Sequence, residues 1–445
     1  MSEQVPREKT QDNGLVSRRN VLTAGAAAGA IGLLSKAKAD PTQQGAAGRR
    51  FRAWVNRGAK PGSIQELALL PIGERQLVIR TEATSCCYTL VREALGATVP
   101  DSRHPERATI LGHGGVGIVE AVGPGVRRAK VGDRVIVAVG PQCGVCRPCI
   151  RGRPDFCLAF FEPGVPVAQM ADGTQVYQTA NIGGNAELMV PYEDWVFPVA
   201  TNRSPVELCV LSCSGTVGLA TSTAFVPVEP GSNVVILGAG LLGLSAVQGA
   251  RIMGAGQIIV VDPIRARREA ALMLGATTVL DPNEEKDRLV EHIRNLCPPL
   301  SDRTFAGGGP PAATAGADIV IEAVGGDRFP PKAEAGPDPT GITSLRQAWE
   351  ICVPTGHYVT LGAGQTGVLT FDNPGMWAVF NKTHHPSTYG GAWPLRDIPR
   401  FVKFIERGQF NAKALVSSSY PLEQLATAYQ RTADRIGISA AITFT

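Results

Sequence analysis

The sequence has no long run of basic residues and no aromatic platform interleaved with one, and its formal net charge is only +4. Those absences exclude an electrostatic case for nucleic-acid binding. Charged residues make up only 18% against 44% hydrophobic, which fits a globular chain with ample core. The N-terminal apolar run, Thr23 to Ser35, is too short and too rich in Gly and Ala to span a bilayer as a stable anchor. What the chain does have is length, glycine, proline and cysteine. At 445 residues it exceeds one ordinary core and is expected to form two domains plus extras. Much of the excess in Gly (51) and Pro (33) sits in a few loop-like stretches.

The N-terminus carries Arg18-Arg19, a mild apolar region and the site Ala37-Lys38-Ala39 before Asp40. This pattern is that of a twin-arginine export signal, which implies a mature chain starting at Asp40 in the periplasm or outside the cell, with no membrane anchor after cleavage. The alternative is a disordered cytosolic extension, which would leave the protein in the cytoplasm.

The stretch from Val234 to Gly243 is a β-branched run that breaks into Gly238-x-Gly240-x-x-Gly243. A second run, Ile258 to Val261, ends on Asp262, nineteen residues after Gly243. Strand, glycine turn, helix, strand and acid together describe a dinucleotide-binding half. Gly238 permits the tight turn, Gly240 lets backbone approach a pyrophosphate, and Gly243 lets the helix pack on the strand. The pyrophosphate then meets unpaired N–H groups at the helix N-terminus. Asp262 favours NAD over NADP because a carboxylate repels a 2′-phosphate; Arg265, Arg267 and Arg268, just beyond, soften that preference. Leu241 and Arg267 complete the expected coenzyme contacts.

Before this half, Phe51–Val55, Ile64–Leu67 and Gln76–Arg80 are expected to be short strands separated by turns. Cys87 then lies near Thr89, His113 stands in a glycine-rich turn, and Cys213 lies ahead of the coenzyme half. Two cysteines and a histidine leave one tetrahedral position open, as a catalytic zinc requires, although buried cysteine is often only a small hydrophobe. Cys143, Cys146, Cys149 and Cys157 form C-x2-C-x2-C-x7-C. Four thiolates at that spacing close a tetrahedron around zinc with bonds of about 2.3 Å, while the rival for an exported chain is two disulfides. The remaining cysteines, Cys86, Cys209, Cys297 and Cys352, are expected to be buried and inert.

With these motifs, the chain from about Phe51 to Phe444 resembles the zinc-containing medium-chain dehydrogenase/reductase family. The resemblance implies an α/β fold: a β-rich GroES-like catalytic domain plus a doubly wound parallel-sheet (Rossmann) coenzyme domain. It implies a catalytic zinc on Cys87, His113 and Cys213, a structural zinc on the four-cysteine lobe, Thr89 as proton relay, and Leu242 behind the nicotinamide ring. Implied domains are 1–39 as signal, 40–213 as catalytic domain with the lobe at 143–157, 214–389 as coenzyme domain, and 390–445 returning to the catalytic domain. The chain also departs from the family. Leu90 and Gly114 stand where second-shell acids are usual, and Arg92 where classical members have a relay histidine. Tyr88 and Ser439 replace two pyrophosphate-binding arginines, so the glycine-loop amides are expected to carry more of that binding.

Further on, the expected elements are helices Arg265–Leu274, Asn283–Leu296 and Ser344–Cys352, with strands Thr278–Asp281, Asp318–Glu322 and His357–Leu361. The Gly/Pro-rich stretches 298–316 and 325–341 are expected to be surface loops, either passive insertions or a lid or subunit contact. Met376, Trp377 and Phe380 either line an apolar substrate mouth or are ordinary interdomain core. The neighbours His384 and His385 have no third spaced ligand and are expected to be surface polar residues. The expected activity is hydride transfer between an alcohol/aldehyde pair and NAD(H), with two zinc ions per chain and a dimeric or tetrameric assembly. Export raises a difficulty, because free NAD is not expected to be plentiful outside the cytoplasm; a tightly bound coenzyme resolves it. The alternatives are an NAD-retaining lyase or epimerase, and an inactive zinc- or ligand-binding relative.

Overall fold

The coenzyme half is organised by strands whose alternate residues are all buried. In the computed structural model, Val234 and Ile236 pack into one apolar cluster and Val235 and Leu237 into another. Ile258 and Val260 likewise face away from Ile259 and Val261. A strand covered on both faces belongs inside a parallel sheet. The sheet has six strands in the order Thr278–Leu280, Gln257–Val261, Asn233–Leu237, Ala317–Glu322, Cys352–Thr360, Thr383–Pro386, all paired parallel. The order reverses at Asn233–Leu237, and a ligand crevice forms beyond the carboxyl ends of strands at such a switch point.

The structure describes residues 47–226, 228–297, 315–327, 329–370 and 381–445. The chain divides into two units, Met1–Ala39 and Asp40–Thr445. The first, which carries the expected export signal, lies outside the described residues, as do most of 298–316 and the stretch holding Met376, Trp377 and Phe380.

The other half is β-rich. Strands Arg50–Arg57, Ser63–Leu69, Ala168–Gln169, Gln175–Gln178 and Ala108–Ile110 close a barrel filled by Phe51, Ala53, Val55, Leu67, Ile110 and Val176. A second sheet is built around Leu77–Ser85, which pairs antiparallel with Gly115–Val122 and with the C-terminal strand Ala440–Thr443. The end of the chain therefore returns to the first half. The fold is a β-rich half joined to a doubly wound parallel sheet, the two-part α/β architecture that the resemblance implies. Among the described residues, no single helix is long and apolar enough to cross a membrane.

Two local expectations need correction. The helix expected over 283–296 is broken: Asp281 caps a turn at Pro282–Glu285, Lys286 adopts φ 51°, and the helix restarts as Leu289–Leu296. A left-handed residue cannot continue a right-handed helix. The helix expected over 344–352 runs Ile342–Ile351, because Asp338 accepts the N–H groups of Thr340 and Thr343 at 2.8 Å and fixes its start earlier; Cys352 opens the next strand. His384 and His385 sit on the last strand of the sheet, where His385 Nε2 lies 2.9 Å from His357 Nδ1.

Candidate active site

Three separate elements deliver the Cys–His–Cys trio. Cys87 stands where strand Leu77–Ser85 gives way to the short 3-10 turn Tyr88–Leu90. His113 lies in the turn between Ala108–Ile110 and Gly115–Val122, and Cys213 at the junction of Cys209–Ser212 with helix Ser214–Ala220. Their ligand atoms all lie within 4.8 Å of one another. His113 Nε2 is 3.3 Å from Cys213 Sγ, and Thr89 Oγ1 is 3.1 Å from Cys87 Sγ. Hydrogen bonding from Cys213, helped by His113 and Thr89, holds the Cys87 thiol well below its ordinary range despite burial. Cys213 is pushed well up in turn by Cys87 and by burial. Two thiols and an imidazole whose ligand atoms lie this close together are suited to a cation in their midst.

The substituted neighbours of the trio follow from packing. Leu90 is buried against Trp54, Val91, Leu111 and Tyr429. A Cβ at Gly114 would lie 2.7 Å from both Cβ and Oγ of Ser212, so no side chain fits there without displacing that serine. Ser212 donates to the carbonyl of Cys209 at 2.7 Å instead of reaching a metal ligand. Arg92 is exposed and is not part of the cleft wall.

A single cleft joins this region to the glycine turn. Its wall includes Cys87, Thr89, Gly238, Gly240, Leu241, Leu242, Asp262 and Arg267, whereas His113, Cys213 and Gly243 do not line it. Gly238 sits at φ 96°, and a Cβ on Gly243 would lie 1.8 Å from the Gly238 carbonyl oxygen, so the turn closes only with glycine at both places. Toward the cleft, Gly240 has open space, with Arg267 Nη1 as its nearest neighbour at 3.9 Å. Asp262 is buried and accepts the N–H of Ala239 at 2.7 Å on one oxygen and that of Ile264 at 2.8 Å on the other. Each oxygen keeps a second lone pair for a diol.

The arginines beyond Asp262 are largely committed. Arg265 pairs with Glu269 at 2.9 Å, and Arg268 pairs with Asp281 at 2.8 Å while donating to the Asp262 and Pro263 carbonyls. Arg267 donates to the Gly437 carbonyl at 3.0 and 3.2 Å and lines the cleft; burial lowers its pKa. Beside the glycine-loop amides, which are expected to carry more of the pyrophosphate binding in place of arginines at Tyr88 and Ser439, Arg431 and Arg435 also line the cleft. Nothing in the sequence signalled them, because Arg435 enters through a left-handed turn at φ 57° after helix Leu425–Ala433.

The four-cysteine lobe is a separate cluster with ligand atoms again within 4.8 Å. Cys143 and Cys149 sulfurs are 4.0 Å apart, those of Cys146 and Cys157 are 3.9 Å apart, and all ten cysteines are free. Those separations are about twice a disulfide bond, so the two-disulfide alternative is not the arrangement found. The N–H of Cys146 points at Cys143 Sγ and that of Cys143 at Cys157 Sγ, each at 3.3 Å, which favours thiolates. Cys86, Cys209, Cys297 and Cys352 are buried, with burial raising each thiol pKa.

Residues 73–201 match the alcohol dehydrogenase GroES-like domain, and residues 242–407 match the zinc-binding dehydrogenase model. The two matches support the zinc-containing medium-chain dehydrogenase/reductase family. An NDMA-dependent alcohol dehydrogenase of Amycolatopsis methanolica is 28% identical over 405 residues, covering 88% of this chain and 97% of the relative. A class-3 alcohol dehydrogenase of Cereibacter sphaeroides is 26% identical over 375 residues, covering 82% and 92%. Among solved structures, an alcohol dehydrogenase zinc-binding domain protein from Burkholderia ambifaria aligns with TM-score 0.74 at 26% identity, covering 89% of this chain and 99% of that one. Benzyl alcohol dehydrogenase from Acinetobacter calcoaceticus aligns with TM-score 0.72 at 25% identity, covering 89% and 100%. These relatives support an alcohol-dehydrogenase-type oxidoreductase, and the family supports zinc and a nicotinamide coenzyme in general terms.

Proposed function

We propose that this chain interconverts an alcohol and its aldehyde by hydride exchange with NAD(H), using a catalytic zinc on Cys87, His113 and Cys213 and a structural zinc on Cys143, Cys146, Cys149 and Cys157. The observation that carries the reading is the single cleft in which Cys87 and Thr89 share a wall with Leu242, Gly240 and Asp262. One imidazole and two thiols within 4.8 Å fit a three-ligand zinc site that keeps a position for substrate. When bound, zinc polarises the substrate oxygen and lowers its pKa, and the nicotinamide exchanges the hydride. The chain's own residues do the rest. Thr89 would accept the alcohol proton at Oγ1, beside Cys87, while passing its own hydroxyl proton on to water in the cleft. Leu242 backs the nicotinamide, Asp262 accepts from the ribose hydroxyls, and the N–H groups at the start of helix Leu241–Ile252 meet the pyrophosphate. With Arg265 and Arg268 engaged elsewhere, the acid favours NAD over NADP.

A second element of the proposal is that the coenzyme stays bound between turnovers. The export motif supports it, since a soluble NAD cycle would stall outside the cytoplasm, and one relative is named for its dependence on NDMA. Export by the twin-arginine route and assembly as a dimer or tetramer belong to the same reading. The test is to denature natively exported protein with acid and quantify zinc and nicotinamide nucleotide per chain. Two zinc ions and close to one NAD(H) are expected. Protein with zinc in the lobe alone and no nucleotide would overturn the reading in favour of an inactive relative.

A further inference from the structure

The Gly/Pro-rich stretch after strand Ala317–Glu322 is not a loop standing clear of the molecule. Asp327, Gly336, Pro337 and Asp338 line the same cleft as the glycine turn, and a Cβ on Gly336 would lie 3.8 Å from Pro263 Cγ, one residue from the ribose acid Asp262. On its coenzyme side, the stretch is held by Asn283, which donates to the Ala335 carbonyl at 2.9 Å. On the same side, the Thr366 N–H donates to the Thr340 carbonyl at 3.1 Å and the Thr343 N–H to Asp338 at 2.8 Å. Further fastenings go to the catalytic half. Asp327 forms an ion pair with Arg435, whose guanidinium lies 5.5 Å from the centre of the Tyr88 ring. Lys332 Nζ lies 3.0 Å from Asp434 Oδ2, and the Ala333 N–H donates to the Asp434 carbonyl at 3.3 Å. Phe329 packs against the cluster of Trp54, Leu90 and Tyr429 in the catalytic half.

We propose that residues 329–341, together with Asp327, form a strap that closes over the adenosine end of the coenzyme cleft and sets how fast the nucleotide leaves. This rests on the assignment of that cleft to NAD(H). The strap begins and ends on the coenzyme half and is anchored on the catalytic half as well, so it crosses the mouth through which a nucleotide seated on Asp262 has to pass. A passive insertion has no need of anchors on the far side. The anchors are few: one partly buried aromatic ring, the largely buried Asp327–Arg435 pair, the pair of exposed Lys332 with buried Asp434, and a single backbone hydrogen bond. An ion pair with one solvated partner contributes little, so the Phe329 ring and the Asp327–Arg435 pair carry most of the hold, and opening is slow rather than forbidden. A strap of this kind would let one bound coenzyme be reduced by one substrate and reoxidised by another without leaving.

The test measures the release rate of NADH from the full mature chain by stopped-flow fluorescence after displacement with excess NAD. Neither Phe329 nor Lys332 lines the cleft, so their replacement leaves the coenzyme contacts in place. Phe329→Ala is expected to speed release about tenfold or more, and Lys332→Asp about threefold. The charge-swapped double variant Lys332→Asp/Asp434→Lys is expected to return to within about twofold of the parent, a rescue that a general loss of stability would not produce. Parental release rates in both single variants would overturn the strap while leaving the coenzyme assignment standing. A parent chain that binds no NADH at all would overturn the assignment itself, and the strap with it.

Discussion

The two sulfur-rich clusters of this chain are built on opposite plans. The lobe takes its four cysteines from one contiguous stretch, Cys143 to Cys157, near the surface, where backbone N–H groups at 3.3 Å already turn toward the sulfurs. The trio gathers Cys87, His113 and Cys213 from three elements brought together by the fold, and Cys87 and His113 are buried beside an apolar neighbour, Leu90, and a glycine too close to Ser212 to bear a side chain. A local cluster can hold a metal before the rest of the chain is in place, and its closed set of four donors leaves no room for chemistry. A cluster assembled by tertiary structure exists only when the fold does, and with three donors beside a cleft it can act on a substrate.

Removing one ligand from each cluster tests that contrast, and the larger effect should come from the trio. Cys213→Ser is expected to lower turnover by at least about a thousandfold, because the group that would stabilise developing charge on the substrate oxygen is lost. Metal analysis should then fall from two zinc ions to one, with the melting temperature changed by only about a few degrees. Full activity in this variant would sink the catalytic assignment.

Cys146→Ser should do the reverse. The lobe metal is lost and the melting temperature drops by about 5–10 °C, while turnover at room temperature stays within about threefold. If this variant instead abolished activity with the fold intact, the division into a structural and a chemical cluster would be wrong.

The same contrast explains what could be read from the sequence. Contiguous signals were legible: the four-cysteine spacing, the β-branched run into Gly238–Gly243, and Asp262 at the end of the next strand all describe chemistry within a few residues of itself. Cys213 carried only a weak signal as a possible third soft ligand, and the family resemblance strengthened it, because topology, not spacing, sets it beside Cys87. Side chains that enter the cleft from distant parts of the chain escaped altogether. Arg431 and Arg435 do so from the end of the last helix, and Asp327 from a Gly/Pro-rich stretch whose composition left a passive loop and a lid or subunit contact undecided. Lys286 broke an expected helix because its left-handed backbone is fixed by the surrounding chain and not by any propensity of lysine. Gly114 is the instructive middle case. Its identity showed that an acid was missing, while the reason lies in Ser212, ninety-eight positions away in the sequence and filling the space that a side chain would need.

The smallest expected effect concerns Arg92, which occupies the sequence position of a relay histidine. If position alone determined role, this guanidinium would pass protons from Thr89 to solvent. An always-charged group with no acceptor is poorly suited to that task. Arg92 is also exposed on a short helix, Val91–Ala94, and lies outside the cleft that Thr89 lines. Arg92→Ala is therefore expected to change turnover by less than about twofold and to leave the pH profile of turnover unmoved. A profile displaced by this substitution would show that the proton path does reach Arg92, and that the trio's surroundings differ from the family's less than their residues suggest. An unmoved profile puts the exit on the cleft side, where Thr89 Oγ1 stands 3.1 Å from Cys87 Sγ at the wall shared with the coenzyme turn.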